Sequence, residues 1–207
     1  MGFNSASCSF TRFRILDNIP PELWGEIADR LKKHAFQDID ATTDMQAYGW
    51  VSFEDMLDSE WLLAPPQKAN YLVFSLRYDV RRIPAGVVKK HVQIAMKQEL
   101  AKLQQQNKKF IARERKKELR EQVMLRLVQR FLPVPGEFNV LWNTDKNEVW
   151  FASTQMKMLD LFQEHFLQTF DLHLEMLTPY SLATTLLGEN QASQLDTIQP
   201  TMFATLS

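Results

Sequence analysis

Apolar residues along the chain follow two rhythms. One, with spacings of three and four residues, predicts helices; the other, with alternate residues apolar, predicts strands. The segment 8–16 alternates through Phe10, Phe13 and Ile15 and reads as a strand. Pro20-Pro21-Glu22 then opens a helix that runs to about His34. Proline suits its first turn, where no intrahelical donor is lost, and an acid suits its positive end. Its apolar stripe is Leu23, Ile27 and Leu31, widened by Trp24 and Ala28. Short strands are predicted at Tyr48-Gly49-Trp50-Val51 and Trp61-Leu-Leu-Ala64, within an acidic, irregular region, and Pro65-Pro66 ends the second. The segment 70–77, rich in β-branched and aromatic residues, is the strongest strand signal, and Arg81-Arg82 extend it.

From Pro84 to Phe131 the pattern becomes helical. Val88, Val92, Ala95, Met96, Leu100 and Leu103 form one stripe; Ile111, Leu119, Val123, Leu127 and Phe131 form a second, widened by Met124 and Val128. The pattern weakens at Gln104 to Asn107, so a turn is placed at roughly 105–110. Two stripes joined by a short polar turn predict an antiparallel helical hairpin. The alternative is one continuous helix of a length rare in compact domains. Val88, Val92, Val123 and Leu127 are expected to pack on the sheet. Leu132-Pro-Val-Pro-Gly136 stops the helix. Strands at 137–143 and 148–153 follow, joined across Thr144-Asp-Lys-Asn147. Thr154 is expected to cap a helix to about Phe170, with Met158, Leu161, Phe162, His165 and Phe166 inward. A strand over 171–177 and a short helix from Pro179 to Leu187, stopped by Gly188, complete the pattern.

Strands on both sides of a helical pair predict an α+β fold. The expected form is a mainly antiparallel sheet with packed helices and a projecting basic helical hairpin. The expected parts are an N-terminal α+β part (1–83), the hairpin (84–132), a β-hairpin, helix and strand completing the core (133–187), and a tail (188–207), loose or docked on a partner.

Charge changes this picture. The 207 residues sum to −1. Gly86 to Phe131 alone holds 13 Lys/Arg against 4 Glu, or +9, so the remainder carries −10. This polarisation says more about partners than the net charge does. Lys108 to Arg130 holds nine basic residues against three acids. Clustered cations attract phosphate without reading base sequence; the plainer reading is a solvated helix face on which Glu114, Glu118 and Glu121 offset part of the positive charge.

Chemistry is sparse. His34, His91, His165 and His173 fall in no metal-ligand spacing, and the lone Cys8 excludes an intrachain disulfide and any multi-cysteine metal site. Glu114-Arg115-Lys116 has a nuclease-like Glu-x-Lys spacing, but on a predicted helix without a partner acid. Asp38, Asp40 and Asp44 lack the glycine and terminal Glu of an EF-hand and read as loop solvation. Six glycines form no phosphate-binding loop, and Ser75, Ser153 and Cys8 have no nearby base in a known motif. Among five tryptophans, Trp24, Trp142 and Trp150 read as core in preference to base-stacking platforms. No run suits a membrane span, and Met1 to Cys8 has no secretory pattern. The expectation is a cytoplasmic protein that is no enzyme and has no metal, cofactor, membrane or small-molecule substrate.

Several pieces, taken in order, carry a resemblance. His34-Ala-Phe36 precedes Asp44-Met45 and Gly49-Trp50-Val51, and Arg82-Ile-Pro84 precedes Val87-Val88-Lys89. The two charged helices follow, with Lys117-Glu-Leu-Arg-Glu-Gln-Val123, then a Trp-containing hairpin over 140–152, an amphipathic helix and a Pro-led segment. Over roughly 8–187 the chain resembles the RdgC recombination-associated DNA-binding proteins. The resemblance implies a bacterial, nucleoid-associated protein that binds double-stranded DNA with little sequence preference and restrains RecA-driven strand exchange. It also implies a homodimer closed into a ring with a positive central hole. The chain reads as a short form lacking the C-terminal third; if that third supplies one dimer contact, an open dimer is expected. The family's Leu-Leu-Pro-Arg-Ala-Phe becomes Leu127-Val-Gln-Arg130-Phe131-Leu132, with the proline displaced to 133, so Phe131 and Leu132 are the candidate dimer contact; for Phe131 a core role is the other reading.

The candidate DNA-binding residues are Lys89, Lys90, Lys97, Lys102, Lys108, Lys109, Arg113, Arg115, Lys116, Lys117, Arg120, Arg126 and Arg130. A second class of function is a non-enzymatic interaction module whose basic hairpin takes an acidic surface, such as the 35–60 region of another copy.

Overall fold

A computed structural model describes residues 2–3, 5–105, 109–188 and 195–199. The elements in order are β1 (Thr11–Ile15), α1 (Leu23–Lys33), β2 (Gln46–Val51), β3 (Gln67–Lys68), β4 (Tyr71–Val80), α2 (Ala85–Gln105), α3 (Arg113–Val128), β5 (Val134–Asn143), β6 (Glu148–Phe151), α4 (Met156–Phe170), β7 (Leu174–Met176) and α5 (Pro179–Leu187). The strands form one sheet in the order β2-β4-β5-β6-β1-β7, with β3 on β4. The ladders β2–β4, β3–β4, β5–β6, β1–β6 and β1–β7 are antiparallel. This is the expected α+β class. The chain clusters into two compact units: Met1–Ile27 with Gln67–Val73 and Asn139–Ser207, and Ala28–Pro66 with Phe74–Phe138.

The first unit is built on an aromatic seam. Phe162, Phe166 and Phe170 lie four residues apart along one side of α4, so they share a face. Phe162 stacks on Phe151 of β6 at 4.2 Å, and Trp142 of β5 lies 5.4 Å from both Phe166 and Phe170. All five rings are buried. Trp142 is thus core, as expected, whereas Trp24 packs on it at 5.6 Å and stays partly exposed. Trp150 stacks on Phe10 at 5.2 Å, and that pair too is only partly covered.

In the second unit, one close approach explains a glycine. Phe36 N–H donates to Trp50 O and Trp50 N–H to His34 O, joining the chain after α1 to β2. A Cβ at Gly49 would sit 2.4 Å from Phe36 N, so no larger residue fits there. Trp50 packs edge-on against Phe74 at 5.1 Å. The Arg77 guanidinium lies 4.1 Å from the Phe36 ring centre and makes a two-pronged bond to Asp79 at 2.7 and 2.9 Å. That bond holds Arg77 protonated, raising its pKa.

Several local expectations are corrected. Trp61 to Ala64 is a loop, not a strand. Asp58 is the cause: its carboxylate accepts the N–H groups of Glu60, Leu62 and Leu63, which a strand would direct to a neighbour. Trp61 itself has φ 53. Burial works to raise the Asp58 pKa, but these N–H donors together hold it below its ordinary value. Thr154 does not cap α4; the N-cap is Gln155, whose N–H bonds Ser153 Oγ. β5 starts at Val134, inside the predicted helix stop, while β1 and β7 are shorter than predicted. Leu161 is only half-buried, and Leu159 takes the inward place on α4 beside the others. α5 matches its predicted span, with a Thr178–Ser181 capping box and Gly188 at φ 77. Of the predicted tail, 189–194 and 200–207 lie outside the described residues.

Candidate nucleic-acid interface

The basic segment is two helices, α2 and α3, packed on each other as an antiparallel pair. Pro84 nucleates α2, its carbonyl accepting the N–H groups of Val87 and Val88 at 2.9 and 3.2 Å. Lys109 to Ala112 lie between the two helices; residues 106–108, and with them Lys108 and part of the turn expected at roughly 105–110, lie outside the described residues. Arg115 clips the helices together. Its Nε donates to Glu99 Oε1 at 2.7 Å and its Nη1 to Glu118 Oε2 at 2.9 Å. The bond from Arg115 lowers the Glu99 pKa below its ordinary 4.5, and the bonds to Glu99 and then Glu118 raise that of Arg115.

The two helices differ in burial. In α3, Leu119, Val123, Leu127 and Val128 are buried, which fits the predicted packing of Val123 and Leu127. In α2 no residue is buried. Val88 and Val92 therefore do not make the predicted buried contact with the sheet. They line an open groove of about 780 Å³ with Ile83, Met96 and Met124, edged by Lys89, Arg120 and Glu121.

At the far end of α3, Arg81 holds the helix in place. It is buried, and donates to Val128 O at 2.7 Å, to Ile39 O at 2.6 Å and to Thr42 O at 3.1 Å. Past that end, Phe131 is half-buried and Leu132 is 70 % exposed.

The thirteen candidate cations do not form one patch. Arg113, Lys116, Lys117 and Arg120 converge on a concave surface together with Glu114. Their spacing of three, four and seven puts them on one face of α3. Lys89 joins Arg120 across the groove. Arg126 lies on another side of α3, in a small cleft with His91 and Gln98. Lys90, Lys97 and Lys102 are exposed on α2, Lys109 in the connection and Arg130 beyond α3. Arg115 is the exception: among the described residues it alone of these cations makes an ion pair, so it is committed to the hairpin itself.

The start of α3 is electrostatically unusual. Its first turn carries Arg113, Arg115 and Lys116 against Glu114, and its N-cap Ala112 offers no side-chain acceptor. Cations at the positive end of a helix oppose its dipole, by about 0.3–1 kcal/mol each for exposed groups. The free backbone N–H groups and the side chains therefore add their positive potential at one place, which suits an anion.

One residue of this region escaped the sequence reading. Phe110 is 81 % exposed in the connection, next to Lys109 and three residues before Arg113. The signal was present, a single aromatic in a run of polar and basic residues. The remaining chemistry is quiet. Among the described residues no three of His, Cys, Asp and Glu gather as a metal site, and no helix is long and apolar enough to cross a membrane. Asp38 Oδ1 accepts Asp40 N–H, and Asp44 accepts from Thr42 Oγ1, so these acids order their own loop.

The Arg115 clip predicts a pH effect. A carboxylate whose pKa is lower folded than unfolded contributes stability above its unfolded value and loses it as pH falls through the folded one. The melting-temperature gap between wild type and Glu99→Gln is therefore expected to be present at neutral pH and to close on acidification below the ordinary carboxylate range, read by circular dichroism. A gap that does not change with pH contradicts it.

The family described as "Putative exonuclease, RdgC" matches residues 10–189, which is 180 of the 207 residues. The chain matches no curated protein. On a match that covers both units and the hairpin, the chain belongs to the RdgC family.

Proposed function

We propose that this protein binds duplex DNA without sequence preference through the α2–α3 hairpin, performs no chemistry on it, and restrains RecA-dependent recombination as a nucleoid-associated homodimer. The carrying observation is the convergence of Arg113, Lys116, Lys117 and Arg120 on one concave face at the positive end of α3. These four make no ion pair among the described residues, so their charge is available to phosphate. Phosphate contacts supply affinity and position, while sequence is read from base edges. Lys89 and Arg126 extend the positive surface along both sides of α3. The link to recombination rests on family membership, and the homodimer on exposed Leu132 beside Phe131.

The test is fluorescence anisotropy with two labelled duplexes of unrelated sequence at low salt. Equal affinities are expected, with the duplexes intact after incubation with Mg²⁺ or Mn²⁺. Absence of binding refutes the interface. Metal-dependent degradation that persists through further purification refutes the non-enzymatic reading.

A further inference from the structure

Phe110 is the most exposed aromatic side chain among the described residues. Its neighbours anchor the chain there. Ile111 is buried, and Ala112 is extended (φ −61, ψ 151) before α3 begins, so the backbone is held immediately after the point where Phe110 faces water. Other exposed rings have partners: Phe10 stacks on Trp150, Trp24 packs on Trp142, and Tyr180 Oη bonds Asp196 Oδ1 at 2.9 Å. A single exposed apolar side chain is ordinary by itself; here the setting gives it a use.

That setting is cationic. Residues 109–117 hold five Lys/Arg against Glu114, and of the five only Arg115 is ion-paired among the described residues. Arg113, Lys116, Lys117 and Arg120 form a row of about 10 Å from the N-terminal end of α3. Lys109 and Phe110 stand just before that end, so a phosphate backbone laid along the row reaches the ring there. A ring among cations is the composition of a surface that tracks phosphates and stacks bases. Intact duplex offers such a ring little, because a wedge must first separate stacked, paired bases. A base already out of the stack needs no such opening, and one base–aromatic contact is worth about tenfold or more in affinity.

We propose that Phe110 stacks on an unpaired base of the bound DNA, so that the hairpin favours duplex carrying an unpaired base over intact duplex. Lys109 and Arg113 hold the flanking phosphates, and the ring takes the face of the base. Every base has such a face, so the preference is for structure and not for sequence. The proposal rests on the reading of the hairpin as a duplex-binding surface, and it adds the form of DNA that surface prefers.

Anisotropy at one low salt concentration tests it on three labelled duplexes. One is fully paired, one carries a bulge of unpaired adenines, and one carries the same bulge made of abasic sites. The two bulges have the same phosphates and differ only in their bases. Wild type is expected to bind the adenine bulge about tenfold more tightly than the abasic one. In Phe110→Ala that ratio is expected to fall to near one; in Phe110→Trp it is expected to be kept or raised. The side chain is exposed, so both variants should fold, which circular dichroism checks. Equal wild-type affinity for the two bulges overturns the proposal and leaves the duplex-binding reading standing. A ratio that survives Phe110→Ala overturns it too, as does a loss of equal size on all three probes. A wild type that binds none of the three overturns both readings.

Discussion

Reversing Lys116, Lys117 and Arg120 together to Glu is expected to lower duplex affinity at low salt on the order of a hundredfold or more, and to flatten its salt dependence by about three in slope. All three side chains are exposed, so the fold should be retained. They share the concave face of α3, so the change converts the convergent positive surface into a negative one. Lys146→Glu, in the turn between β5 and β6, is the matched control and should change affinity little. The readout is anisotropy at fixed salt, with circular dichroism to confirm the helices. Affinity that survives the triple change would move the interface off this face. A loss of dimer mass with no change in DNA affinity would favour the interaction-module reading instead.

Arg81→Met is expected to destabilise the protein by about 3–5 kcal/mol, since each charge-assisted bond contributes about 1.5–3 kcal/mol and three backbone carbonyls lose a buried donor. In a chain of this size that is a fall in melting temperature of roughly 10 °C or more. The mechanism is specific. Arg81 joins the last carbonyl of α3 to the 39–42 loop, and both ends are left unsatisfied without it. Slow hydrogen exchange at the C-terminal end of α3 should be lost first. Arg82→Met, at the exposed neighbouring position, should melt like the wild type. A melting curve for Arg81→Met that overlays the wild type would contradict the stitching role.

The two cases also show how far the sequence could be read. The α2 and α3 stripes are local and strong, so the hairpin was legible from spacing alone. The α5 span followed from Pro179 and Gly188, whose chemistry acts within one turn. The loop at 58–64 was not legible, because Leu62 and Leu63 read as strand until Asp58 takes their N–H groups. Burial of α3 but not of α2 depends on what each helix meets, and both stripes look equally apolar in sequence. The candidate site shows the same limit. Counting charges found the basic segment, but it could not separate Arg115, committed to Glu99 sixteen residues away, from Arg113 and Lys117, which remain available. Pairing across a hairpin depends on which residues of its two helices face each other, and spacing within each helix does not give that. Arg81 reads as extending the strand at 70–77, which ends at Val80, and only the fold brings three carbonyls to it.

The central claim is that this hairpin binds the DNA backbone by charge, and a salt titration addresses it most directly. Affinity for one linear duplex is measured by anisotropy over a range of salt concentrations. If about six phosphates are neutralised, the logarithm of affinity falls against the logarithm of salt with a slope near −5. A slope near zero, or no binding at the lowest salt, would contradict it.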